Sequence, residues 1–398
     1  MESHHRERVF VGLIIALFVL LGATLNHFDA WPFTIGYSES DARSPRAQNK
    51  NRQDTVSIAL VGDPEMVFDY SVQKCDTNDI PDLAVRAFRD AKGQVHLIRS
   101  HYSGNRSMIG SSLDTVQNNC AINFASANDT SFDNRKYHEW IASPYTIDGT
   151  TVYSLVHNEW YGWLADTECI RGNQIHGWIN SLTLAVSSNG GSTYQHPTDY
   201  KIRYPTTPWS TSFGCTSTDH TQYGSFTPSN IVKATDGYFY ALFWSIKSQY
   251  ETQGSCLMRT GNLANASSWE VYTDNGFVKS KTAVCEPVIP LNIVMDSLTY
   301  NTALGKYVGV GLNFSKQEFS LLTSSDLINW SSPQKIMSVP KSADGWWTRA
   351  YPSLLDPLSA SRNFETTGQE SYLYFMEHHG GLDRDLMRQK ISLTPNTR

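Results

Sequence analysis

Helical periodicity is almost missing from this chain of 398 residues. Few windows repeat apolar residues at steps of three and four, which argues against a helical bundle and against alternating α/β units. A long basic run is also missing, and the net charge is −6, so nucleic acid is not an expected partner. None of the six cysteines stands in a C-x-x-C pair, which excludes a zinc knuckle and a thioredoxin-type site. No G-x-S-x-G occurs, and the strained serine turn of Ser/His/Asp hydrolases loses its sequence support. Charged residues are scarce, at 18%, while aromatics reach 12%. That balance excludes a disordered chain and suits β-sheet and sugar-stacking surfaces.

What the chain does have is a repeated hairpin. Residues 139–160 read EWIASPYTIDGTTVYSLVHNEW, two strand-like runs around an Asp-Gly turn at Asp148 and Gly149. The pattern recurs from Pro81-Asp82 through Gly93, from Thr227-Pro228-Ser229-Asn230 through Asp236-Gly237, from Asp296-Ser297 through Gly305, and from Tyr351-Pro352-Ser353 to SYLYFMEHH. Five such units predict radial repetition, an all-β, five-bladed β-propeller. Their spacing exceeds the 40–50 residues or so of simple propeller repeats, so loops are inserted between strands. A β-sandwich with Gly-rich turns is the alternative. Val56-Ser-Ile-Ala-Leu-Val-Gly62 reads as a strand that closes the ring with 386–393.

The one long apolar run, 9–25, follows Arg6 and Arg8. It is long for a signal peptide and minimal for a membrane span. The expected organisation is a signal peptide or anchor over 1–25, a polar tether over 26–54 and one propeller domain over 55–398. The chain is then exported, either secreted or single-pass and membrane-anchored. An oxidising compartment permits the six cysteines, Cys75, Cys120, Cys169, Cys215, Cys256 and Cys285, to form disulfides. Sequons begin at Asn105, Asn128, Asn265, Asn313 and Asn329, and a glycoprotein is expected where the host modifies exported chains.

Inner propeller strands line a shared channel, so the polar residues early in each unit are expected to face it. Those are Asp82, Ser143, Ser229 with Asn230, Ser297 and Ser353. Glu159 ends the second strand of its unit, and Glu286 lies in Cys285-Glu286-Pro287. Glycosidic bond cleavage takes two carboxyl groups, one to attack or accept a proton and one to donate. Asp82, Glu159 and Glu286 are the candidate catalytic residues, each weighed against a structural carboxylate paired with arginine. On strand alternation His157 and Glu159 share a face. His157 then contacts sugar, holds a carboxylate or ties two blades together. Asn158, Arg86, Ser229, Asn230, Tyr351 and His378 complete the expected carbohydrate-binding set.

Pro81-Asp82 with its following glycine and aliphatic strand resembles the first blade of five-bladed glycoside hydrolases, the arabinanase/xylosidase (family 43) and invertase (family 32) groups. The resemblance implies that Asp82 is base or nucleophile and that Glu286, before Pro287, is the proton donor. The chain departs from the usual Asp-Pro order and carries His157-Asn158-Glu159 where a Trp-Ala-Pro-Asp motif is customary. As a whole it also resembles a group of exported bacterial propellers. Ser187-x-Asn189-x-Gly191-x-Thr193-Tyr194 has the spacing of the Asp-box turn of sialidase-like propellers, and Ser325-Asp326-Leu327 through Trp330 resembles related turns. Some arabinanase-like enzymes hold a channel cation, and His378 with His379 raises that question. No acidic cluster at ligand spacing accompanies them, so no metal or cofactor is expected, a structural calcium ion being the alternative. A sialidase-like enzyme would draw its arginine cluster from Arg86, Arg89, Arg99, Arg349 and Arg384. The remaining alternative is a non-catalytic, tethered glycan-binding or scaffold propeller. A monomer is expected.

Overall fold

The computed structural model describes residues 56–164, 170–171, 174–175, 177–205, 222–246, 253–289, 292–343 and 345–396, and these are almost wholly β. The run 9–25, the tether 26–54, Cys169 and Cys215 lie outside the described residues. Among those residues the α-helix is a single turn, Tyr70–Gln73, and no helix is long and apolar enough to cross a membrane.

The hairpin units fold where the Gly turns place them. The first contains Arg86–Arg89, Val95–Arg99, Arg106–Gly110 and Gln117–Asn118 in sheet order. The second contains His138–Thr146, Val152–Tyr161, Trp178–Ser187 and Lys201–Arg203. In the third, Gln222–Phe226 and Val232–Lys233 both pair with Phe239–Ile246, and Gly254–Thr260 and Glu270–Thr273 follow. The fourth runs Ile293–Asn301, Lys306–Asn313, Glu318–Ser324 and Gln334–Ser338. The fifth joins Arg349–Leu355, Glu370–Gly380 and Asp383–Pro395 to the N-terminal strand Val56–Phe68. The closing strand read from the sequence is therefore present, with Val56 opposite Pro395 and Ile58 opposite Leu393.

The second and third units share one continuous sheet because Trp178, Ile179 and Asn180 pair in parallel with Gln222, Tyr223 and Gly224. Gly224 makes that approach feasible: its φ is +104°, and a Cβ there would meet Asn180 O at 2.2 Å. Any side chain would break the seam.

Apolar layers lie between successive units, because each strand turns one face to the sheet before it and one to the sheet after. Phe88 and Ile98 of the first unit meet Ile141 and Val156 of the second. Leu182 and Leu184 meet Phe239 and Phe243, and Leu242 and Leu257 meet Ile293 and Leu298. Val310 and Leu321 pack on Leu354 and Phe375, while Tyr374 and Leu386 return to Val95 and Leu97. The layers form a circuit that ends where it began.

A second circuit of hydrogen bonds runs inside the first. Ile141 N–H donates to Asn105 Oδ1 at 2.7 Å, joining the first two units. Ser143 Oγ donates to Ser229 O. Leu298 N–H donates to Asn230 Oδ1 at 2.8 Å, and Leu354 N–H to Ser297 Oγ at 3.0 Å. Ser353 Oγ donates to Val85 O at 2.8 Å, which closes the loop. At its centre the Arg86 guanidinium donates to Val85 O and Ser353 Oγ, both at 3.0 Å, to Pro228 O at 3.4 Å and to Asp296 O. One side chain of the first unit thus holds backbone or hydroxyl groups of the third, fourth and fifth.

Two disulfides lie among the described residues, Cys75–Cys120 and Cys256–Cys285. Of the sequon asparagines, Asn128, Asn265 and Asn329 are exposed. Asn105 and Asn313 are buried and closed to glycan attachment in the folded chain.

Candidate functional site

The inner strands do not run straight. Register slips by one residue between Ile141 and Ser143, between Met295 and Ser297, and between Ala350 and Ser353, where Tyr351 and Pro352 together oppose Phe375. A β-bulge leaves its extra residue unpaired and re-aims the side chain. The extra residues are Ala142, Asp296 and the pair Tyr351-Pro352. In the third unit the same place is a kink, with Thr227 at φ +28°, and Tyr351 stands at φ +58°. Non-glycine residues in that region are strained and persist where their surroundings fix them. Gly311 opposes the bulge before Asp296, and a Cβ there would meet Val294 O at 2.0 Å.

The irregular strand starts of the third, fourth and fifth units meet at a cavity of about 60 Å³ whose lining includes Phe226, Thr227, Trp244, Asp296, Trp347 and Tyr351. Asp296 is buried, and desolvation in this apolar setting raises its carboxyl to about 7, against a smaller opposing pull from Arg86. Burial in turn lowers Arg86 to about 10. Tyr351 is the hinge of the site. Burial holds its hydroxyl well above the usual tyrosine value, and it senses the charges of Asp82, Arg384, Asp296 and Glu159.

Asp82 does not line that cavity; it stands beside the apolar patch of Leu83 and Trp140, against which Tyr102 and Tyr351 pack. Its carboxylate is ion-paired with Arg384 and accepts the Trp140 indole N–H at 3.1 Å. Burial raises Asp82, while Arg384 and then Trp140 draw it back. Trp140 pairs across the strands with His157, their rings 5.2 Å apart. His157 Nε2 stands 3.0 Å from Glu159 Oε1, and Tyr161 OH donates to Glu159 Oε2. The shared face expected for His157 and Glu159 is observed, and His157 holds a carboxylate. Two further histidines edge this wall: His101, in ring contact with Trp140, and His138, stacked between Tyr102 and Tyr137. Burial lowers both to about 3, so they are neutral.

The structure brings Asp82, Glu159, His157 and Tyr351 into one neighbourhood and adds Asp296, which the sequence reading passed over. The remaining candidates sit elsewhere or are consumed in structure. Glu286 is on the outer strands of the third unit, beside the Cys256–Cys285 disulfide, with its N–H on Tyr272 O. Asn158 is fully buried, donating to His138 O and accepting from Ser181 Oγ. Ser229 accepts from Leu242 N–H, Asn230 ties the third unit to the fourth, and Arg86 holds the centre. His378 lies against Trp346 at 5.0 Å and contacts Gly381 O. Ser143, Ser229, Ser297 and Ser353, expected to face a channel, are at most 1% exposed and bridge strands instead. The bulge shifts the alternation by one, so the serine that alternation turns inward goes to the neighbouring sheet.

His379 pairs with Asp385 at 2.9 Å, apart from the partners of His378, and among the described residues no group of three metal-ligating side chains converges. Calcium asks for six to eight oxygens. The five arginines of the sialidase alternative are likewise spent: Arg99 on Asp79, Arg349 on Glu377, Arg384 on Asp82, Arg89 on Ser359 O and Ser361 O, and Arg86 at the centre. They form no cluster for a carboxylate ligand.

No protein-family model matches this sequence, and no curated protein matches it. Among solved structures, the chain is similar to a GH43_1 enzyme from Xanthomonas citri, 10% identical over 79% of this chain and 88% of that one, with a TM-score of 0.46. It is similar to a putative exo-beta-1,3-galactanase from Bifidobacterium bifidum s17, 10% identical over 84% and 96%, TM-score 0.49. A family 117 glycoside hydrolase produced by Zobellia galactanivorans is 9% identical over 85% and 91%, TM-score 0.49.

Proposed function

We propose that the five units are the blades of one propeller and that the cavity at their inner strand starts is the inner recess of a glycosidase site, with the sugar ring held at its mouth. The observation that carries this reading is a pair of carboxyl groups, Asp296 and Asp82, both raised by burial and both felt by the Tyr351 hydroxyl, of which Asp82 has the nearer cation. Asp296 sits in an apolar wall and keeps its proton toward neutral pH. Asp82 has a cation and an N–H donor beside it. A proton donor and a base or nucleophile at one pH need two acids that hold their protons differently, and Arg384 with Trp140 is what favours the charged form at Asp82. In this proposal Asp296 protonates the leaving oxygen and Asp82 attacks or activates water. Glu159, fixed by His157 and Tyr161, shapes the field around them. Tyr102 and Tyr351, only partly buried, offer ring faces on which a sugar stacks. The enzyme works as a monomer, without a metal, outside the cytoplasm. The two disulfides support that location, with the run 9–25 as signal or anchor.

One observation favours the non-catalytic reading: a carboxylate neutralised by a buried arginine is a common structural device. The test separates them. Full-length protein is screened against a glycan panel for hydrolysis and for binding, then Asp82→Asn and Asp296→Asn are compared with the parent on any glycan cleaved. Each variant should lose turnover by about a hundredfold or more, with circular dichroism confirming the fold, since Asp82→Asn leaves Arg384 unpaired. A folded variant that cleaves at the parental rate removes that residue from the mechanism. Binding without cleavage selects the scaffold.

A further inference from the structure

The cavity has an end that the proposed chemistry does not use. Part of its wall is aliphatic, formed by Ile246, Val294, Leu312 and Ala350. Phe314 stands between two indoles there, with ring centroids 5.9 Å from Trp244 and 6.2 Å from Trp347. Three buried polar groups on lining residues find no partner in the protein: the indole N–H of Trp244, that of Trp347 and the hydroxyl of Thr227. These residues are 2%, 8% and 8% exposed. Buried donors without acceptors are rare and costly, and here three belong to residues that line one small space.

Size and chemistry together narrow the occupant. A cavity of about 150 Å³ takes a benzene ring of six heavy atoms, so about 60 Å³ takes two or three. A whole pyranose is too large. A bare methyl group would fill the aliphatic end and leave the donors unmet. A carboxylate would satisfy the donors but place charge against Val294 and Leu312, beside an acid already starved of solvent. A neutral group of three heavy atoms with one acceptor oxygen and one methyl meets every demand.

We propose that this end of the cavity binds the acetyl group of an N- or O-acetylated saccharide. Its carbonyl oxygen accepts from the Trp244 and Trp347 side and from Thr227, and its methyl packs on Val294, Leu312 and Ala350. The inference rests on reading the site as a saccharide site and adds the substrate class, acetylated sugars.

The test titrates full-length protein, by calorimetry and indole fluorescence, with methyl 2-acetamido-2-deoxy-β-glucoside, methyl 2-amino-2-deoxy-β-glucoside and methyl β-glucoside. The three galacto epimers are run alongside, with N-methylacetamide as an acetyl probe without a sugar. In at least one epimeric series the acetylated glycoside should bind about tenfold or more tighter than its two partners, with N-methylacetamide competing. Equal binding within both series, or binding that N-methylacetamide does not affect, overturns the proposal. Thr227→Val removes a hydroxyl at constant shape, and Trp244→Phe removes an indole N–H. Either should cut the acetyl preference to about threefold or less, and an unchanged preference in a folded Thr227→Val protein also overturns it. The two readings fail separately. An acetyl preference without hydrolysis sinks only the glycosidase, while Asp82-dependent hydrolysis that ignores acetylation sinks only the acetyl pocket.

Discussion

Asp296 and Ser297 are neighbours on one inner strand, and Tyr351 and Ser353 nearly so, yet the members of each pair do opposite work. The serines lie on the regular side of the bulge. They are sealed, and their hydroxyls are matched to backbone groups of the next unit. Asp296 and Tyr351 occupy the bulges and face a cavity whose apolar wall drives both groups toward their neutral forms. A buried polar group that has found its partner holds a fold together; one that has not is stored for another purpose. The difference separates scaffold from site more sharply than residue type does, since both classes are polar and inward in sequence.

Arg86 breaks the comparison at its strongest point, because it is scaffold and yet touches the backbone of a site residue. Arg86→Ala orphans acceptors on three other units at once. Removing one partner from such a buried network costs about 3–5 kcal/mol. The midpoint of chemical denaturation should fall accordingly, and binding should be lost with the fold. An Arg86→Ala protein of parental stability would show that the central guanidinium holds nothing.

Asp296→Asn should act in the reverse sense. The folded state holds this carboxyl at about 7, against an ordinary value of 3.8. Between those values the folded protein keeps a proton that the unfolded chain releases, so parental stability is greatest at low pH and declines as pH rises from about 4 to about 7. At 1.36 kcal/mol per pH unit the decline is about 4 kcal/mol at most. Asp82 and Glu365 are also raised by burial and add to the slope in parent and variant alike. Denaturation midpoints across pH 4–8 should show the variant gaining on the parent as pH rises, while its turnover is lost. Parallel pH profiles would mean that Asp296 is ionised in the folded state.

Much of this was legible in the sequence. Gly93, Gly149, Gly237 and Gly305 mark hairpin turns with positive φ, so four of the five units could be read from turn chemistry. The turn at Asn189 has the side-chain geometry its spacing implied, with Oδ1 accepting Thr193 N–H at 2.9 Å. Asp326 caps its turn in the same way, accepting Asn329 N–H at 2.7 Å. The His157–Glu159 pair was also within reach, since it obeys strand alternation. Asp296 was not, because alternation assumes a straight strand and a bulge moves each later side chain to the other face. A signal was present in the Gly309 and Gly311 pair, where backbone and Met295 crowd in on the missing side chains. Glu286 illustrates the opposite error: a short motif beside a proline says nothing about which strand of its sheet it joins.

The smallest change is the cleanest separation of scaffold from site. Ser143 follows the bulge at Ala142 just as Ser297 follows Asp296, and its hydroxyl donates to Ser229 O. Ser143→Ala removes that donor and one oxygen's volume, leaving a carbonyl short of one bond. A net hydrogen bond is worth about 1 kcal/mol, and a carbonyl left partly satisfied adds little beyond that. The expected result is a loss of about 1 kcal/mol in denaturant titrations, with no change in the slope against pH and none in the turnover of any glycan the parent cleaves. A folded Ser143→Ala protein with normal stability and impaired turnover would reverse the assignment, placing the inner-strand serines in the site and leaving the circuit of bonds to the backbone alone.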